Sequence, residues 1–129
     1  MMRAGLLALA LSLLAPAAWP QSLPQLAAEA AANPRDAGAQ YRLGQAHAAA
    51  GDLTAAIEAY FRAHLATPTD AKVIATLART YARIPNYEKA AYWYRKLLKL
   101  RPGDAKLTQE AADLALKHGQ PLQAELLLQ

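Results

Sequence analysis

Three histidines and ten aspartates and glutamates are the side chains with which this chain could bind a metal or move a proton, and there is no cysteine to supply a thiolate. His47, His64 and His118 are 17 and 54 residues apart, and none has a second ligand at a metal-binding spacing. Asp36, Asp70 and Asp104 recur at intervals of 34, a regularity that belongs to architecture rather than catalysis. Glu110 with Asp113 reads as the polar face of a helix. The chain has no glycine-rich phosphate loop, no nucleophile elbow and no zinc-protease motif. No enzyme activity, metal or cofactor is expected. What remains is charge: Lys72 to Arg101 holds eight basic residues and one acidic one, Glu88. A solvated helical face explains such a run most simply. The chemistry open to it otherwise is capture of carboxylates on an acidic partner, or of a negatively charged membrane surface.

The elements that must position these residues follow from a repeated loop. Asn33-Pro34-Arg35-Asp36-Ala37 returns as Thr67-Pro68-Thr69-Asp70-Ala71 and as Arg101-Pro102-Gly103-Asp104-Ala105, with Pro, Asp and Ala each at a period of 34. A fixed period in this range marks stacked supersecondary units. Over half of the residues are hydrophobic. Ala, the best helix former, supplies much of that fraction and lets neighbouring helices approach closely. Ser22-Leu23-Pro24 starts a helix that ends at Asn33-Pro34. Asp36 caps a second, which runs to Ala50. Gly51-Asp52 turns the chain into a third, Leu53 to Ala66. Asp70 begins a fourth that runs to Arg83; Ile84-Pro85-Asn86 turns into a fifth, Tyr87 to Leu100. Asp104 caps a sixth to His118, and Pro121 opens a last helix to Gln129. Within Tyr92-Trp93-Tyr94, Tyr94 is expected in the core, Trp93 near the next unit, and Tyr92 facing out beside Lys96; core packing explains the cluster most simply, and a convex docking site formed by Tyr92 and Lys96 with Arg95 and Lys99 is the alternative.

The N-terminus reads as a targeting segment. Met1-Met2-Arg3 is a short positive stretch, Leu6 to Leu14 is apolar and uncharged, and Ala15-Pro16-Ala17 has the small-x-small pattern of a signal-peptidase site. The apolar run falls short of the roughly 20 residues that span a bilayer. A cleaved secretory signal over residues 1–17 is the favoured reading, with an uncleaved inner-membrane anchor as the alternative. Removal of Arg3 leaves 13 of 14 basic residues against 10 acidic ones, a net charge of +3. Export makes nucleic acid a poor partner.

The repeat residues resemble the tetratricopeptide repeat family, whose 34-residue unit carries W-x2-L-G-x2-Y, then A-x3-F, then P. Leu43-Gly44, Ala56, Tyr60 and Pro68 match in the first unit. Leu77-Ala78, Tyr81, Ala90, Tyr94 and Pro102 match in the second. The third is degenerate, with Ala111-Ala112, Ala115 and Ala124. Gln40, Ile74 and Thr108 stand where the family prefers Trp. The resemblance implies an all-α, right-handed solenoid of about seven helices in the mature chain. Its divisions are residues 18–36 as a linker and half-repeat helix, 37–70 and 71–104 as two full repeats, and 105–129 as a truncated third.

It also implies a concave groove lined by the first helix of each unit. On the family's positions this lining is Tyr41 and Gln45 from the first repeat, Lys72, Arg79 and Arg83 from the second, and Lys106, Gln109 and Lys117 from the third. The groove is basic in its middle and suits an acidic protein or peptide segment. The family's clamp for a terminal carboxylate agrees only at Lys106. Leu126, Leu127 and Leu128 form an apolar C-terminal edge expected to dock on another protein or a second copy, unless the last helix frays. The expected function is an exported, periplasmic adaptor of the bacterial envelope. The alternative is a subunit built permanently into an envelope complex of the pilus, secretion, outer-membrane assembly or cytochrome c maturation type. Membrane association is expected only through an uncleaved signal or such a complex.

Overall fold

The computed structural model describes residues 21–119, which form six helices. They are α1 (Leu23–Ala32), α2 (Ala37–Ala49), α3 (Leu53–Ala66), α4 (Ala71–Arg83), α5 (Tyr87–Leu100) and α6 (Ala105–Lys117). The expected leader over residues 1–17 and the expected helix after Pro121 lie outside the described residues.

The repeated loop does two jobs in sequence. Asn33, Thr67 and Arg101 each precede a proline, whose ring disfavours helical backbone at the residue before it. All three leave the helix with nearly the same dihedrals, φ −132°, −135° and −130° with ψ 73°, 76° and 63°. The amide of the aspartate three residues on then closes a turn onto their carbonyls, at 3.0, 3.1 and 3.3 Å. Proline suits the second position of such a turn because its φ is preset. Asp36, Asp70 and Asp104 finally accept the amides of Ala39, Lys72 and Leu107 at 3.1, 3.0 and 3.2 Å, capping α2, α4 and α6.

Within a hairpin the return is made in two ways. Gly51 takes φ 85°, which a side chain would resist, and the Asp52 amide reaches the His47 carbonyl at 3.0 Å. Ile84-Pro85-Asn86 makes the equivalent bond, Asn86 amide to Tyr81 carbonyl at 2.9 Å, without a residue at positive φ. At the chain's front end α1 is closed by a capping box: Ser22 accepts the Gln25 amide, and Gln25 accepts the Ser22 amide.

The helices stack in two layers. The first helices of the units, α2, α4 and α6, lie side by side. Tyr41 bonds to Thr76 between α2 and α4, and Arg79 bonds to Glu110 between α4 and α6. The second layer is α1, α3 and α5, joined by apolar packing of Leu26 and Ala30 with Ala59 and by Phe61 and His64 against Trp93. Small side chains mark the crossings within hairpins: Ala56, Ala78 and Ala90 have no exposed surface. Ile74, Leu77 and Leu97 are the largest fully buried residues and fill the middle of the stack. Each such side chain contributes roughly 1.5–3 kcal/mol by leaving water.

Gln40 stands at the position where the resembled family prefers Trp, and it is 2% exposed. Its amide nitrogen donates to the carbonyls of Ala30 and Pro34, at 3.4 and 3.3 Å, and its oxygen accepts from Arg62 Nε at 2.9 Å. A buried amide is tolerable only when so satisfied. Here the bonds tie α1 and the first loop to α2 and α3. Arg42 adds an ion pair with Glu29 at 2.8 Å across α1 and α2.

Two expectations about the aromatic cluster need separating. Tyr94 is buried and Tyr92 is exposed, as the repeat register implies. Among the described residues the Trp93 ring meets His64 edge-on at 4.9 Å and Phe61 at 6.2 Å, both on α3 of the preceding unit, while the expected helix after Pro121, its neighbour in the next unit, lies outside the described residues. The reason is rotational. One residue turns the helix about 100°, so a neighbour of core-facing Tyr94 points sideways toward the stacked helix.

Candidate protein-binding groove

The predicted lining residues all lie on the first helices of the units. From α2 come Tyr41 and Gln45, from α4 Lys72, Arg79 and Arg83, and from α6 Lys106, Gln109 and Lys117. All but the half-buried Tyr41 are exposed. Spacings of 3, 4, 7 and 8 residues, one or two helical turns, keep each set on one face.

Several of these side chains are brought together. Lys72 Nζ lies 4.6 Å from the centre of the Tyr41 ring, a cation over an aromatic face, and the Tyr41 hydroxyl is 3.1 Å from Thr76 Oγ1. Lys72, Arg79 and Lys106 share one open depression of about 220 Å³, with Ala75, Leu97 and Leu107 as its apolar floor. Arg101 and Asp104 of the repeated loop complete its rim. The loop therefore punctuates the helices and also edges the groove.

Arg79 is not a free cation. Its Nε and one terminal nitrogen donate to the two carboxylate oxygens of Glu110, each at 3.0 Å, in a bidentate pair. The Tyr94 hydroxyl donates to the same carboxylate at 3.1 Å. Glu110, read from the sequence as a plain polar face, is thus the hub of a network over α4, α5 and α6. The hydrogen bonds from Arg79 hold its carboxyl below the ordinary range against the opposing effect of burial, and Tyr94 adds to the depression. Burial and then the Glu110 charge push the Tyr94 hydroxyl up to about 12.

Gln109 also has a partner in the groove, donating to Asp113 at 2.8 Å. Gln45, Arg83, Lys106 and Lys117 take part in no ion pair among the described residues. Arg83 lies near enough to Tyr60 for its charge to oppose the rise that burial and Tyr41 impose on that hydroxyl. Leu126, Leu127 and Leu128, the expected docking edge, lie outside the described residues.

The histidines stay apart. His64 is buried against Trp93 and Phe61, and burial followed by the nearby Lys96 lowers its pKa. His118 rests on Tyr87, with ring centres 5.2 Å apart.

Glu110 escaped sequence reasoning as a neighbour of the lining residues, yet a signal existed. Arg79 and Glu110 are 31 residues apart, and so are Tyr41 and Lys72. That spacing is one repeat less one helical turn, so residues separated by it meet diagonally across adjacent first helices.

Comparison with known proteins agrees with this architecture. The tetratricopeptide repeat profile matches residues 7–71. Its match starts inside the segment that the sequence pattern assigns to a leader. Cellulose synthase operon protein C of Pseudomonas fluorescens (strain SBW25) is 39% identical over 79 residues, 60% of this chain. The chain spans only 6% of that relative's length. A crystal structure of MamA superposes with a TM-score of 0.75 at 24% identity, covering 82% of this chain and 62% of MamA. MamA of AMB-1 gives 0.72 at 19% identity, over 79% of this chain and 56% of that one. MamA of MSR-1 gives 0.70 at 18%, over 82% and 61%.

Proposed function

Because the chain belongs to the tetratricopeptide repeat family, we propose that it is a protein-binding scaffold that holds an acidic partner segment against the surface of α2, α4 and α6. The observation that carries this reading is the shared depression of Lys72, Arg79 and Lys106 over an apolar floor. Cations rim it while Ala75, Leu97 and Leu107 offer contact area, a combination suited to a peptide with carboxylates and small apolar side chains. The scaffold performs no chemistry of its own.

Lys72 and Lys106 are the primary contacts of the partner, because Arg79 already has Glu110. A fluorescently labelled acidic peptide titrated into the purified chain tests this. Lys72→Glu with Lys106→Glu should weaken binding by about tenfold or more, with the helical circular dichroism unchanged. Unchanged affinity retires the groove.

The setting we propose is the bacterial envelope, reached by export, with the partner a component of an envelope machine. Support comes from the charged, apolar and small-x-small order of residues 1–17. A second reading has its own support, since the family profile already begins at residue 7: the apolar stretch then forms part of a further repeat. N-terminal sequencing of protein recovered from fractionated cells decides between them. Cleavage near Ala17 favours export; an intact N-terminus in the cytoplasmic fraction favours the added repeat.

A further inference from the structure

The layer of second helices carries a surface that the groove does not use. Between α3, α5 and the end of α4 a depression of about 380 Å³ is walled by the rings of Phe61, Tyr81, Tyr92 and Trp93 and rimmed by Lys89 and Arg95. Phe61 and Tyr92 remain 43% and 47% exposed, and Leu65, one helical turn beyond Phe61, is 63% exposed. These are the large apolar side chains a folded chain would be expected to cover.

The cations around this surface differ from Arg79. The two ion pairs among the described residues, Arg42 with Glu29 and Arg79 with Glu110, lie elsewhere. Lys89 Nζ instead sits 5.6 Å from the centre of the Tyr81 ring, and Lys96 Nζ 5.4 and 5.3 Å from those of Tyr92 and Trp93. An ammonium over an aromatic face keeps its full positive charge. Three cations, Lys89, Arg95 and Lys96, therefore stand around the rings with Glu88 as the single carboxylate lining the depression. Trp, Tyr and Arg, all present here, are the residues in which interface hot spots are enriched.

We propose that this face is a second docking surface, for an acidic segment of another protein that carries one aromatic or aliphatic anchor. The anchor seats among Phe61, Tyr81, Tyr92 and Trp93, and its flanking carboxylates meet Lys89, Arg95 and Lys96. The charge of the rim selects an acidic segment over a basic one. Concavity selects a protein anchor over a bilayer. Phe61 and Trp93 meet edge to face at 6.2 Å, as do Tyr92 and Trp93 at 5.3 Å, so the rings brace one another as walls instead of projecting as wedges. Because this depression and that of the groove share no lining residue, one chain can hold two segments at once.

Trp93 reports on the site directly. In the full chain carrying Trp19→Phe it is the remaining tryptophan of two, and its emission can be followed on titration. The probe is a short synthetic peptide in which Glu alternates with Leu around one central Phe. Its counterpart has Lys for Glu. The Glu peptide should shift the emission saturably, less so at high salt, and the Lys peptide should not. Tyr92→Ala with Lys96→Glu should weaken the response by about tenfold or more, while Lys72→Glu with Lys106→Glu leaves it in place. Both positions of the first pair are at the surface, and circular dichroism checks that the fold is retained. Equal affinity of the Tyr92→Ala, Lys96→Glu variant, loss of the response with the groove variant alone, or no response to the Glu peptide overturns the proposal. So does an emission shift with phosphatidylglycerol vesicles but not with the peptide, which assigns the face to a membrane surface.

Discussion

The hairpins α2/α3 and α4/α5 share one repeat pattern but are locked at their crossings by different means. In the first, Gly44 lies under the Tyr60 ring so closely that a Cβ there would come within 2.4 Å of it. Tyr60 packs in turn on Tyr41, with ring centres 5.3 Å apart. In the second, Ala78 occupies the equivalent place, and Tyr94, the counterpart of Tyr60, reaches with its hydroxyl to Glu110 of the next unit. The first crossing is an apolar contact of Gly44 with the Tyr60 ring. The second is polar and extends to α6 through Arg79. The difference teaches that one repeat register accommodates two kinds of lock, and that the polar lock also engages Arg79, a lining residue of the proposed groove.

Gly44→Ala breaks the first lock and has the largest expected effect. Overpacking of about 1–3 kcal/mol, set against a gain of about 1 kcal/mol in helix propensity, should show in urea unfolding as a net loss of up to about 2 kcal/mol. In a Tyr60→Leu background the substitution should cost nothing further; an equal loss there would place the strain elsewhere. The mirror change, Ala78→Gly, removes a buried methyl and helix propensity without relieving any clash. It should cost about 1 kcal/mol. An unchanged urea midpoint would mean that the two crossings are more alike than their side chains.

Glu110→Gln opens the second lock. Both partners are partly exposed, at 49% for the Arg79 side chain and 27% for that of Glu110. Solvent screening therefore limits the loss to about 1 kcal/mol. The released Arg79 should tighten acidic-peptide binding by about threefold to tenfold. Weaker binding in that variant would show that the pair orders the groove instead of occupying it.

The smallest effects are those of pH. Glu110 is held below its ordinary range, so its contribution to stability is present above the unfolded carboxylate range and is lost as pH falls through its native value. Tyr94 has the opposite sense. Its hydroxyl is raised from 10.0 to about 12, so stability is fully present below pH 10 and declines as pH rises from there toward 12. Tyr94→Phe should flatten the alkaline decline in thermal unfolding profiles. An identical slope in the variant would remove Tyr94 as its source.

Much of this molecule is legible in its residue order. Pro34, Pro68 and Pro102 with the aspartates two residues on determine where helices stop and start, because ring sterics and capping act within a few bonds. The period of 34 determines that units stack and which face each helix presents. It places Tyr41, Lys72, Arg79 and Lys106 on one surface. Only the tertiary structure decides what those side chains do there. A cation's partner depends on which residue of an adjacent helix lies within about 3 Å, and a shift of one residue turns a helical side chain by about 100°. So Arg79 proved engaged by Glu110, and Trp93 turned back onto Phe61 and His64. Lys89 and Lys96, one charge run with Lys72 in the sequence, came to stand over other rings, those of Tyr81 and of Tyr92 and Trp93.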